Sequence, residues 1–437
     1  MKLKSLALSV DKYIYYLLLF TVAVIPLRQH FTAFCVFASF AAAAFAALAG
    51  ARRGSGVLRN WEQVALYLLF LLCWVSLRFS RDIFQSSWNF VYVVGQYGAF
   101  FFVLLRYGWQ RPDPFNKASG PVPGKGISGL WQRYLALPLP LELMGAFFAT
   151  AFVVSVIGIA QKFLGVAAAG IWVDPDEFPE LKVRVYSTLV NPNILGGYLV
   201  LVIAYAAAFF NQVTGKLWRG LFFALGLLCA LCLLYTYSRG NWLACAAVLL
   251  AFCVCFCRKA FIPLLLGGAA LLCVSGQAVI HRLLSVFAPS GMADTSIALR
   301  QAYLRSTEWI IEANPWGVGW YGYQFVYPEY NYYLADKSVI MYHCHNIFLN
   351  IWAEMGPQGL AAFLLVWFIF LRAAWRLAFR AHSFWLKAMG QGYLLASLGI
   401  AVGGLTDHVY FNSQMGLFFW FLGGLTLLCR KWDLFEV

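Results

Sequence analysis

Runs of roughly 17 to 25 apolar residues recur along the whole chain, the length at which a helix crosses the hydrocarbon core of a bilayer. That feature fixes the class. In lipid every backbone N–H and C=O needs a partner within the protein, and a helix supplies it inside one segment. Twelve runs are expected as spans, at about 13–27, 31–50, 62–78, 86–105, 139–161, 193–210, 218–237, 241–257, 260–279, 357–371, 386–405 and 413–429. Composition agrees: the 437 residues are 62% hydrophobic and only 11% charged, against about a quarter charged in a soluble protein. The expected fold is an all-α polytopic membrane protein with about 12 transmembrane helices. The first run follows Lys2, Lys4 and Lys12 and ends on Pro26-Leu27-Arg28 rather than on small residues, so it reads as a span and not a cleavable signal.

Basic residues orient the helices, because cytoplasmic loops are enriched in Lys and Arg. Placing both termini in the cytoplasm puts most of the 32 Lys and Arg inside, and puts most of the 18 Asp and Glu outside. The net charge of +14 is then an inside bias facing anionic lipid and calls for no nucleic acid. Three regions follow: 1–279 with nine spans and an outer loop at about 162–192, a large helical outer loop at 280–344, and 345–437 with a helix start and the last three spans. Within the large loop, "DTSIALRQAYLRSTEWIIEANPWGVGW" predicts an amphipathic helix. Asp294 or Thr295 caps it, Asn314-Pro315 ends it, and Leu299, Tyr303 and Ile310 form its apolar side. All but one of the 11 cysteines fall in or at the ends of apolar runs, where they act as small hydrophobes. Cys344 alone sits among polar residues, so cysteine usage fixes no redox compartment.

Four outer clusters carry chemistry. In "MYHCHNIFLNIWAEMGPQGL", His345 and Asn346 open a helix that bends near Pro357 before its span. His345 is either a proton acceptor near neutral pH or a helix anchor at the interface, and His343 reads as an interface residue. His343, His345 and Glu354 match no zinc signature. In "TYSRGNW", Arg239 lies in a tight turn between two apolar runs, where a charge is functional by default or snorkels to headgroups. In "KVRVYSTLVNPNILGGYL", Lys182 and Arg184 precede Asn191-Pro192-Asn193, a helix start that suits an anion or is a plain junction. Arg300 and Arg305 sit on the amphipathic helix, some 140° apart by the helical period, and either could instead face solvent beside Glu308 or Glu312. One base and several arginines suit an anionic leaving group. The sequence has no P-loop, no paired acids for a magnesium-dependent transferase and no nucleotide fingerprint.

The motifs "STLVNPNILGGYL", "YSRGNWL", "ANPWGVGW" and "HNIFLNIWAEMGPQGL" resemble those of the O-antigen ligase and polymerase superfamily over about residues 184–360. The spacing His-Asn-x9-Gly-x-x-Gly is the most specific element. The resemblance implies a glycosyltransferase of the bacterial inner membrane acting at its periplasmic face. Its donor would be a glycan on undecaprenyl diphosphate, and its acceptor a sugar hydroxyl of lipid A–core oligosaccharide. His345 would be the general base. Arg239 and one of Arg300 or Arg305 would hold the diphosphate, with Arg184 and Lys182 as further anion ligands and Asn346 beside the base. No metal, nucleotide or other cofactor is implied, and the reaction would invert the anomeric centre. Topology adds Asp407, at the outer end of the eleventh run, as a partner for one of the arginines. The ligase reading competes with an O-antigen polymerase, which joins lipid-linked repeat units. It also competes with a transporter, which would need charges deep inside several spans. The sequence does not give the oligomeric state.

Overall fold

The computed structural model describes residues 2–49, 56–108, 137–166, 183–274, 277–284, 295–332 and 341–434. All regular structure among them is helical. The chain opens with α1 (Lys2–Val24), α2 (Gln29–Leu48), α3 (Asn60–Ser76) and α4 (Ile83–Tyr107); α4 contains a π-turn at Phe90–Val94. Next come α5 (Leu139–Phe163), α6 (Pro192–Gln212), α7 (Lys216–Tyr235), α8 (Arg239–Cys255) and α9 (Phe261–Val274). Three helices, α10 (Gln277–Leu284), α11 (Thr295–Ala313) and α12 (Tyr323–Tyr330), lie in the described part of the large loop and its approach, and α13 (Ile347–Arg380), α14 (Phe384–Thr406) and α15 (Ser413–Asp433) close the chain.

Eight of these, α2 to α7, α13 and α14, are long and apolar enough to span a membrane. The other four expected spans fall on α1, whose apolar part is Tyr13–Val24, on the 17-residue α8, on the 14-residue α9, and on α15, which ends in Arg430, Lys431 and Asp433. Of these, α15 is buried along nearly its whole length. It forms the middle of the bundle, against α4 and α13. Its basic end is neutralised inside the protein, where Arg430 donates to both oxygens of Glu62 on α3 at 2.5 and 2.8 Å.

Local sequence explains where the helices that carry the polar end begin. Asn191 caps α6, its side chain accepting from the Asn193 N–H at 2.8 Å with Pro192 in the first turn, the position where proline's fixed φ and missing N–H do no harm. Asn346 caps α13, accepting from Phe348 and Leu349 N–H at 3.0 and 3.1 Å. The expected bend in α13 lies at Gly356, with φ 71° and ψ 179°, one residue before Pro357. Its carbonyls there bind the aromatic loop: Val318 N–H donates to Ala353 O and Gly319 N–H to Glu354 O, both at 2.8 Å. The amphipathic helix occurs as α11 with Tyr303 and Ile310 buried, whereas Leu299 is exposed.

α14 packs against α6, α8 and α13. Small residues permit this approach. A Cβ at Gly399 would meet Val200 at 2.7 Å, and one at Gly404 would meet Ile347 at 2.5 Å, so backbones come closer than larger residues allow. Asp407 directly follows α14, and Asn193, Arg239 and His345 lie at or beside the starts of its three neighbours. Helix packing thus gathers groups that lie more than 200 residues apart in sequence.

Candidate active site

His345 occupies the left-handed backbone region, with φ 58°, an uncommon state for a residue with a side chain. It holds the ring between partners. Nδ1 hydrogen-bonds Asp407 Oδ1 at 2.8 Å, and one face stacks on Tyr303 of α11 at 5.4 Å between centroids. With Asp407 ionised, Nδ1 is the protonated nitrogen and Nε2 carries the lone pair. The same arrangement orients the histidine of hydrolase triads.

Asp407 is bound from several sides. Asn193 Nδ2 donates to its Oδ2 at 2.8 Å, the His408 backbone N–H donates to Oδ1 at 2.8 Å, and an Arg300 nitrogen lies 3.7 Å from Oδ2. Burial works to raise the Asp407 carboxyl. The charges of His345 and Arg300 and the hydrogen bond from His345 outweigh it and hold the group well below the usual carboxylate range.

Beyond Asp407 lies a small pocket walled by Arg184, Arg239, Arg282 and Arg300, with Asn193, Asn241 and Thr406 between them. Arg184 is nearly buried. Its Nε donates to Thr236 O at 2.9 Å and a terminal nitrogen to Asn193 Oδ1 at 3.0 Å. Burial, then the charges of Arg282, Arg300 and Arg239, push its guanidinium down to about 9, with Asp407 opposing. Four guanidiniums and one carboxylate are among the described residues that line it.

Two further histidines complete the cluster. The His343 ring lies 4.5 Å from that of His345 and 5.6 Å from that of His408, and His343 Nδ1 accepts the His345 backbone N–H at 3.2 Å. Burial, with His345 alongside, holds His343 well below the ordinary imidazole value. Burial likewise pushes His408 down to about 4 against the pull of Asp407. Both are therefore neutral near pH 7. Ligating atoms of His343, His345 and Asp407 lie within 4.8 Å of one another, a spacing that could take a metal ion. Two of the three residues are already joined through the His345–Asp407 hydrogen bond, so the geometry reads first as an oriented base.

Residues 223–364 match the family model of the O-antigen ligases. The match supports membership of the O-antigen ligase superfamily. It contains Arg239, Arg282, Arg300, Arg305, His343 and His345; Arg184, Asn193, Asp407 and His408 lie outside it. No curated protein matches the chain.

The structure brings His345, Arg239, Arg300, Arg184 and Asp407 together. Arg305 is exposed and does not line the pocket, as the 140° offset from Arg300 dictates. Lys182 lies outside the described residues. The Asn346 side chain is engaged in capping α13 and donates to Leu405 O at 3.4 Å, which makes it a fastening between α13 and α14. The sequence reads His343 as an interface residue; it packs against His345, His408 and Phe411. The sequence singled out neither Arg282 nor His408, and it offered Asn193 only within the helix start Asn191-Pro192-Asn193. Arg282 follows an apolar run as a basic residue at its outer end, the same signal that singled out Arg239, but without a flanking turn motif.

Proposed function

We propose that this ligase-family protein transfers a glycan from undecaprenyl diphosphate to a sugar hydroxyl of lipid A–core oligosaccharide, at the periplasmic face of the inner membrane. The proposal includes twelve spans and cytoplasmic termini. The observation that carries it is the 2.8 Å His345–Asp407 hydrogen bond at the rim of a pocket walled by four arginines.

The acceptor hydroxyl gives its proton to His345 Nε2 as its oxygen attacks the anomeric carbon. The bond from that carbon to the diphosphate oxygen breaks, and its electron pair leaves with the diphosphate. Arg239, Arg300 and Arg184 neutralise the charge that develops there. Asp407 keeps the imidazole in the required tautomer and stabilises the imidazolium. Direct displacement inverts the anomeric centre. The activated donor supplies the driving force, so the reading needs neither nucleotide nor metal.

The test is transfer by purified protein from a lipid-diphosphate glycan to lipid A–core with a chelator present. Glycan on the core, lost in His345→Ala, is the expected result. Longer lipid-linked chains with the core unmodified would make the protein a polymerase, and full activity of His345→Ala would remove the base assignment.

A further inference from the structure

His343, His345 and Asp407 each offer one ligating atom, and the three atoms lie within 4.8 Å of one another. The triad is assembled across the chain: Asp407 stands 62 positions beyond His345 and reaches it through the packing of α14 on α13. Each member is held. His345 sits in its left-handed backbone state, and Asp407 receives the Asn193 side chain and the His408 N–H. The His343 ring packs against the rings of His345, His408 and Phe411, at 4.5, 5.6 and 5.1 Å between centroids. Both His343 and His345 are partly exposed, so a solvated ion reaches them. The transfer chemistry uses His345 and Asp407 and leaves His343 without a part.

Two imidazoles and one carboxylate suit zinc and its transition-metal neighbours, whereas magnesium and calcium call for oxygen ligands. Tetrahedral zinc bonds nitrogen and oxygen at about 2.0–2.2 Å, which sets its donors about 3.3 Å apart. The His345–Asp407 pair, at 2.8 Å, opens slightly to admit the ion, and His343 closes the remaining gap. That motion gives up one long hydrogen bond, from the His345 N–H to His343 Nδ1 at 3.2 Å. The fourth position stays open for water, as in other three-ligand zinc sites. An Arg300 nitrogen 3.7 Å from Asp407 Oδ2 repels a cation, so binding is reversible rather than structural.

We propose that His343, His345 and Asp407 form an inhibitory binding site for zinc. The ion and the acceptor's proton compete for one imidazole. If zinc takes His345 Nε2, it occupies the lone pair that would accept the proton. If it takes Nδ1, the proton there moves to Nε2 and fills that position instead. In both cases His345 stops acting as a base, and Asp407 is drawn from orienting the ring to ligating the ion. A chelator reverses the block. The inhibition rests on the transferase reading above; the binding of the ion does not.

The test combines binding with kinetics. Zinc chloride is titrated calorimetrically into metal-free, full-length protein, wild type and His343→Gln. Glutamine removes one ligand, leaves His345 and Asp407 in place, and can still accept the His345 N–H, so its melting temperature should match wild type. Wild type should bind one zinc ion per chain, and His343→Gln should bind at least 10-fold more weakly, the least that losing even an outer partner of a ligand costs. Zinc should stop transfer by wild type and the chelator restore it, while His343→Gln should need correspondingly more zinc. In wild type alone, zinc should protect His343 and His345 together from diethyl pyrocarbonate, read by mass spectrometry. Unaltered zinc affinity in His343→Gln, absent protection, or magnesium binding as tightly as zinc would overturn the site. Zinc that raises transfer would overturn the inhibition. Zinc binding that depends on His343 in a protein that transfers nothing would leave the site standing and remove the transferase reading.

Discussion

In the proposed transfer His345 acts in one tautomer, and its hydrogen bond with Asp407 selects that tautomer. Asp407→Asn keeps the shape of the side chain but removes the charge that selects Nδ1–H. It is expected to lower kcat by on the order of 10²-fold or more with little change in donor KM, measured in single-turnover transfer. A fall confined to KM would instead make Asp407 a binding residue. The arginines differ in the same concrete way. Arg300→Ala should raise donor KM by roughly 10-fold or more, the worth of a charge-assisted contact, while Arg305→Ala, altering an exposed residue outside the pocket, should stay within about 3-fold, the range of an ordinary surface change. His408 makes a pH prediction. Its folded value is about 4 and its unfolded value about 6.5, so the unfolded chain takes up the proton first. The stability this contributes is complete above about 6.5 and is lost as pH falls toward 4. By pH 5 the loss is about 2 kcal/mol. The melting temperature of detergent-solubilised protein should therefore drop between pH 7 and pH 5, and less so in His408→Gln; an equal drop in both would assign the effect elsewhere.

At the scale of elements, the bend in α13 joins a span to a loop. Gly356 is at φ 71°, and a Cβ there would come within 2.8 Å of Trp316 O. Gly356→Ala thus combines a backbone state unsuited to alanine with a backbone collision. It should destabilise by about 1–3 kcal/mol, read as a melting temperature several degrees lower and as faster proteolysis near residues 314–322. An unchanged melting temperature would mean that the bend is not under this constraint. This element also shows what sequence could reveal. The helix start at 345–346, the bend near Pro357, the helix over Thr295–Ala313 and the turn at Arg239 were legible, because each is written in a few adjacent residues. The partners of those elements were not. Arg282, Asn193 and His408 join the site only through the packing of α14 on α6, α8 and α13, and no local signal encodes that packing. The packing of His343 on His408 and Phe411 was not legible, because both lie more than 60 positions away.

For the whole molecule, apolar runs gave the class, but length and composition alone qualify eight helices as spans. Hydropathy cannot tell a span exposed to lipid from a helix such as α15 that is enclosed by protein. α15 is fastened at its basic end by the buried Arg430–Glu62 pair. Removing one partner leaves a charge buried alone, a change worth about 3–5 kcal/mol. Glu62→Gln should therefore lower the melting temperature markedly, and adding Arg430→Met should recover part of it; no recovery would mean that the glutamate acts by packing alone. The backbone clasp at 318–319 has one more consequence. Trp320, which follows it, donates its N–H to Ser76 Oγ at 3.1 Å and its ring N–H to Asn89 Oδ1 at 2.9 Å, so the aromatic loop is sewn to α3, α4 and α13 at once. A loop fixed at so many points is not a hatch. It moves only as those three helices move, and so reports their relative positions to the histidines that follow it in the chain.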